Sequence, residues 1–137
     1  MTQPLPETAI TETVCRIIAE VLDISPDEIF SDTYVIRDLE TESIDLLEYG
    51  VGLNAAFGIP VRDETVFLKS LRVHIEEAKQ HNAPVQGYLA TRYPHLAPER
   101  IDEILQTVTD GPVLRVQDIV EYVRHAQKSA EAGCHDC

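Results

Sequence analysis

The stretch from Asp38 to Phe57, DLETESIDLLEYGVGLNAAF, holds one serine, Ser43, among the carboxylates of Asp38, Glu40, Glu42, Asp45 and Glu48. Ile44, Leu47 and Val51, with Leu46, Leu53 and Phe57 one turn round, recur at helical spacing. That period predicts an amphipathic helix whose stripe faces a core, with Ser43 as its N-cap or a first-turn residue. A helix start offers unpaired backbone N–H groups and the positive end of the peptide dipoles, so a phosphate esterified to the Ser43 hydroxyl would be stabilised there. The five carboxylates, with Arg37 nearby, form a face that attracts basic partners and resists burial. Capping alone accounts for a serine before an apolar period. It does not require the longer register that runs from Leu22 to Pro60.

Other residues capable of chemistry make a thinner case. Cys134, His135 and Cys137 are zinc-type ligands, but a structural site needs a fourth, and the plain reading is a polar tail over residues 130–137. Cys15 lies in an apolar helical stripe, and three cysteines do not make a disulfide framework. His74 sits on an apolar stripe, while His81 and His95 neighbour prolines. No nucleophile stands near them in sequence, so packing or surface roles are expected rather than general-base catalysis. There is no glycine-rich phosphate loop, paired-cysteine motif or basic aromatic patch, so neither an enzyme nor a metal site is expected.

The elements that position Ser43 can be read in order. Ile10, Val14, Ile17, Ile18, Val21 and Leu22 predict a first helix from about Thr8 or Thr11 to Leu22. Ser25, Pro26 and Glu28 fit a capped helical turn carrying Ile29 and Phe30 inward. From Ser31 to Glu42 no period is sustained, and Tyr34, Val35 and Ile36 anchor a loop that ends at the candidate site. Gly50 and Gly52 each cost about 1 kcal/mol inside a helix relative to alanine, so they need a packing reason: approach of a neighbouring helix, or room for an acyl chain. Gly58 and Pro60 end the helix. A third helix is predicted from about Thr65 to Gln80, burying Phe67, Leu71, His74, Ile75 and Ala78. A short helix follows around Tyr88, Leu89 and Tyr93, then one opened by Pro98 with Leu96 stapled on Ile101, and a last one from about Val116 burying Ile119, Val120 and Val123. Arg62, Lys69, Arg72 and Lys79 read as a mixed solvated face.

The order acidic residue, Leu39, two residues, acidic residue, Ser43, branched apolar residue, Asp45, Leu46, Glu48, closing on Phe57-Gly58-Ile59-Pro60, resembles the acyl carrier proteins. The similarity extends upstream through Ile17, Ile18, Val21 and Leu22 to the Ser25–Ile29 turn. It resumes at Leu114–Val120, which resembles the family's final helix. Glu42 stands where the family usually has Asp, and Glu40 where it usually has Gly. The resemblance implies an all-α fold: an acyl-carrier-like four-helix bundle in which about 40 residues, from about 66 to 112, insert extra helices before the last helix of a single 1–137 domain. A competing alignment makes Phe67 to Ala78 the final carrier helix. It further implies 4'-phosphopantetheine carried on Ser43, attached from coenzyme A by a phosphopantetheinyl transferase. Acyl groups would ride as thioesters to basic acyl-transferring or synthase enzymes of fatty-acid, lipid or polyketide assembly, recognised through Asp38, Glu40, Glu42, Asp45 and Glu48. An unmodified helical interaction module and an aminoacyl or peptidyl carrier are the alternatives.

Composition bounds the partners. The 137 residues carry 26% charged and 44% hydrophobic residues with a net charge of −13, one soluble domain by size and a poor match for nucleic acid or anionic lipid. The beginning MTQPLPETAI lacks a basic n-region, and no run approaches the roughly 18 apolar residues of a membrane span. A cytoplasmic monomer is expected.

Overall fold

A computed structural model of the chain describes residues 6–133. Among the described residues seven α-helices form: α1 (Glu7–Leu22), α2 (Ser43–Phe57), α3 (Asp63–Val66), α4 (Leu71–Gln80), α5 (Val85–Arg92), α6 (Pro98–Thr107) and α7 (Val116–Gly133). Single 3-10 turns lie at Pro26–Glu28 and Val108–Asp110. Among the described residues no strand forms, and a lone antiparallel bridge joins Tyr34 to Arg115. The all-α, acyl-carrier-like bundle expected from the sequence is what the chain adopts. Cys134, His135 and Cys137 lie outside the described residues.

The core follows from the helical periods. Helix α1 turns Ile10, Val14, Ile18 and Ala19 inward, and it packs along both α2 and α7. It ends at Asp23, which adopts a left-handed φ of 58° and donates its N–H to Ala19 O. The next turn is capped as the sequence predicts: the Ser25 hydroxyl accepts from Asp27 N, and Glu28 Oε2 accepts from Ser25 N at 3.0 Å. Ile29 is buried there, but Phe30 is 63% exposed, against expectation. Its N–H is held by Thr33 Oγ1 at 2.9 Å, and that local bond fixes the backbone without requiring the ring to pack.

The predicted helix from Thr65 to Gln80 is broken into α3 and α4. Leu68 takes φ 56°, and Val66, Phe67 and Leu68 are all buried. Three successive residues of a straight helix spread over roughly 200° of its surface, so they cannot share one core face. The left-handed step at Leu68 brings all three inward. Downstream, α4, α5 and α6 pack in sequence order. Helix α6 is tied to the start of α7 by Arg100, whose Nε and Nη2 donate to the two Asp118 oxygens at 2.8 Å each, while Asp118 Oδ2 also accepts from Arg115 N. Ile119, Val120 and Val123 of α7 are buried, as their spacing predicts.

The loop that approaches Ser43 is not free. Val35 N donates to Leu114 O at 2.9 Å, Val116 N to Thr33 O at 3.0 Å, and Gln117 N to Ser31 O at 2.8 Å. The Arg37 guanidinium lies over the Tyr34 ring, 4.9 Å from its centroid. Main chain from the entry to α7 therefore fixes the first part of the loop.

Candidate functional site

Ser43 is the first residue of α2, with Glu42 in an extended conformation as the N-cap. Its side chain is exposed. The amides of Ser43 and Ile44 precede the first helical carbonyl partner, so they point out of the helix end beside the hydroxyl. Around this point the backbone is pinned. Asp45 Oδ2 accepts from Glu42 N at 2.9 Å, and Asp38 Oδ2 accepts from Tyr34 N at 2.9 Å. Glu40, at the position where a glycine is usual in the resemblance, holds a left-handed φ of 53°. A glycine takes that conformation without a Cβ penalty, and a glutamate does so at a cost of roughly 1–2 kcal/mol.

Two residues that the sequence reading did not single out complete the junction. Thr41 is 8% exposed and Tyr49 is 1% exposed, and their hydroxyls share a hydrogen bond of 2.9 Å. Burial pushes the Tyr49 phenol up, with the Thr41 bond opposing and the Asp45 and Glu48 charges adding to the rise. The Tyr49 ring meets Phe67 edge-on at 6.4 Å. The available signal was spacing: Leu46, Tyr49 and Leu53, three and four residues apart, are the stripe of α2 that faces the core. A buried phenol also needs a partner, which points to a nearby hydroxyl.

The other stripe corrects an expectation. Ile44, Leu47 and Val51 face solvent at 65%, 54% and 71% exposure. With Ile17 and Val21 of α1 and Gly52 they line an open groove of about 760 Å³, edged by Glu20 and Glu48. Tyr49 takes the core-facing side of α2, and α1 comes so close at Gly52 that a Cβ there would stand 2.8 Å from Ile17 Cγ2. Of the two reasons considered for the interior glycines, helix approach holds at Gly52. At Gly50 an added Cβ would meet Asp63 Oδ1 at 3.0 Å, so the neighbour there is α3.

Of the carboxylates expected to meet a partner, Asp38, Glu40, Glu42 and Glu48 are exposed and Asp45 is half-buried. The basic residues of the α3–α4 region are mixed with acids, Lys69 Nζ lying 3.9 Å from Asp63 and Lys79 Nζ 4.0 Å from Glu76, while Arg72 Nη2 donates to Val108 O at 2.8 Å. His74 Nδ1 lies 3.0 Å from Glu77 Oε1, and His95 is buried rather than at the surface. Among the described residues no group of three or more potential metal ligands gathers, and no helix is long and apolar enough to cross a membrane.

Residues 12–72 match the family described as "Phosphopantetheine attachment site". An acyl carrier protein of Sulfurovum sp. is 32% identical over 56 residues, which cover 41% of this chain and 75% of that protein. One of Campylobacter hominis is 28% identical over 76 residues, 53% of this chain and 96% of its own. A third, from Buchnera aphidicola subsp. Acyrthosiphon pisum, is 40% identical over 55 residues, 40% of this chain and 69% of its own. No solved structure matches the chain.

Proposed function

This chain belongs to the acyl carrier protein family, and we propose on that premise that Ser43 is the residue that bears its prosthetic group. As a member it is a non-catalytic carrier with a covalent 4'-phosphopantetheine, served by a phosphopantetheinyl transferase and by acyl-transferring or synthase enzymes. The group supplies a flexible arm whose terminal thiol holds acyl cargo as a thioester. The observation that carries the assignment is an exposed serine hydroxyl at the first turn of α2, inside the matched residues. It fits a phosphate ester: the oxygen is reachable, the adjacent amides are unpaired by position, and the helix dipole favours the added negative charge.

Partners dock on α2. Ile44, Leu47 and Val51 supply an apolar strip, and Asp38, Glu40, Glu42, Asp45 and Glu48 supply the charge that selects a basic surface. Asp45 and Glu48, one turn apart beside Ser43, are the leading contacts. Reversing both charges weakens partner turnover in a salt-dependent way, and turnover unchanged at low salt would remove them from the docking face. The carrier serves fatty-acid, lipid or polyketide assembly by tethering its intermediate and raising the concentration that each partner meets.

Residues from about 66 to 112 are an insertion within a single domain. The support is that α7, not α4, packs along α1, although the family match ends at residue 72.

Intact mass tests the central assignment. The chain incubated with coenzyme A, magnesium and a broad-specificity phosphopantetheinyl transferase gains one phosphopantetheine, and Ser43→Ala does not. A wild-type mass that stays unchanged, while an ordinary carrier is converted beside it, overturns the assignment of Ser43.

A further inference from the structure

We propose that Thr41 and Tyr49 are positioning residues for the modification of Ser43: their buried hydroxyl pair fixes the backbone that presents the serine to the transferase. The inference rests on Ser43 being the attachment residue.

The polar side chains buried among the described residues are Thr41, His95 and Asp118. Asp118 is accounted for by its ion pair with Arg100, and Thr41 stands two residues before the serine. Its Oγ1 lies 2.9 Å from Tyr49 Oη, and Tyr49 is 1% exposed on the core side of α2. A buried hydroxyl left without a partner is unfavourable, so each of these two groups holds the other in place. The consequence is geometric. Tyr49 is anchored in the helix that Ser43 begins and against Phe67, so the Thr41 bond ties the incoming strand of the loop to the flank of that same helix. The Glu42 amide, bonded to Asp45 Oδ2, fixes the next residue. The two residues that lead into Ser43, 41 and 42, are thus both held, while the serine itself stays exposed. Glu40 in its left-handed conformation is the bend that lets Thr41 turn inward.

A bond that merely satisfies a buried phenol and one that positions the serine make different predictions. Removing one partner orphans the other and lowers stability, whereas replacing both by apolar groups of similar shape is nearly neutral. The variant Thr41→Val with Tyr49→Phe therefore separates the two roles. Its melting temperature is expected near that of the wild type. Its kcat for phosphopantetheinylation falls about fivefold, the effect of one ordinary hydrogen bond on orientation, and KM for the carrier stays within about twofold because the docking face is untouched. Thr41→Ser, which keeps the hydroxyl, retains a rate within about twofold of wild type. Amide hydrogen exchange at residues 41–43 speeds up in the double variant and not in Thr41→Ser. Thr41→Val alone, assayed at a temperature where its circular dichroism matches the wild type, carries the same kinetic expectation.

A folded double variant modified with wild-type kcat overturns the proposal and leaves Ser43 as the attachment residue. A wild-type chain that gains no mass overturns the Ser43 reading and this inference with it. Loss of rate in Thr41→Val with recovery in Thr41→Ser supports the positioning role.

Discussion

Acidification from about pH 7.5 to about pH 5 should cost this fold roughly 2 kcal/mol through one side chain, His95. His95 lies in the connection between α5 and α6, 8% exposed, with the rings of Tyr93 and Tyr122 edge-on to it at 6.2 and 5.4 Å. Its Nε2 is buried without a partner among the described residues. Burial pulls its pKa down from 6.5 to about 4, Asp118 opposing that shift and His125 adding to it. The folded chain thus binds the proton less readily than the unfolded chain. Stability from keeping His95 neutral is complete above about pH 6.5 and is lost as pH falls towards about 4. At about pH 5 the two values differ in proton binding by a factor of about 30, which is about 2 kcal/mol, while near pH 7.5 the difference is below about 0.1 kcal/mol. Urea unfolding followed by circular dichroism across this range reads the effect directly. His95→Phe keeps a ring between the two tyrosines and cannot titrate. The wild type should lose about 2 kcal/mol more than the variant. Equal losses in the two chains would refute the reasoning, because His95 would then reach water or a proton acceptor in the folded state.

Asp118→Ala leaves the Arg100 guanidinium, 12% exposed, with only the exposed Glu103 carboxylate at 3.5 Å as its anion and should lower stability by about 3 kcal/mol in chemical unfolding. Gly52→Ala forces α1 and α2 apart at Ile17 and should destabilise by about 1 kcal/mol, whereas Gly87→Ala in α5, with open space around the added methyl, should stabilise by up to about 1 kcal/mol. The urea midpoints of the pair check this, and movement in the same direction would show that propensity rather than packing decides at Gly52. Replacing Ile44, Leu47 and Val51 together by serine should change the unfolding free energy by no more than about 1.5 kcal/mol and lower partner kcat/KM at least tenfold, measured as transferase kinetics.

The local signals in the sequence were sufficient wherever structure is decided locally. The Ser25-Pro26-Glu28 cap, the end of α2 at Gly58 and the stripes of α1 and α7 appear where spacing and capping chemistry put them. The placement of Ser43 on the first turn was legible for the same reason. Tertiary choices were not. Apolar residues lie on several sides of α2, so two stripes satisfy the helical period, and only packing against α1 and Phe67 selects Leu46, Tyr49 and Leu53 over Ile44, Leu47 and Val51. The break at Leu68 was hidden because Thr65 to Gln80 contains neither glycine nor proline, and a leucine carries no mark of a left-handed φ. Thr41 was unreadable as a core residue because its partner is supplied by a helix turn eight residues on.

The bonds between residues 31–35 and residues 114–117 bear on how the chain is made. During synthesis the N-terminal part emerges first, and α1 and α2 carry the apolar stripes needed to meet one another at once. The start of the loop before the serine, residues 31–35, takes main-chain partners from much further along the chain. Its main-chain pairing closes between Val35 and Leu114, across five intervening helices, and contacts so distant in sequence form late. A chain that stops before residue 114 can still form the Thr41–Tyr49 and Glu42–Asp45 bonds beside the serine, but residues 31–35 lack their main-chain partners. Arrival of residues 114–117 is the step that sets the start of the loop.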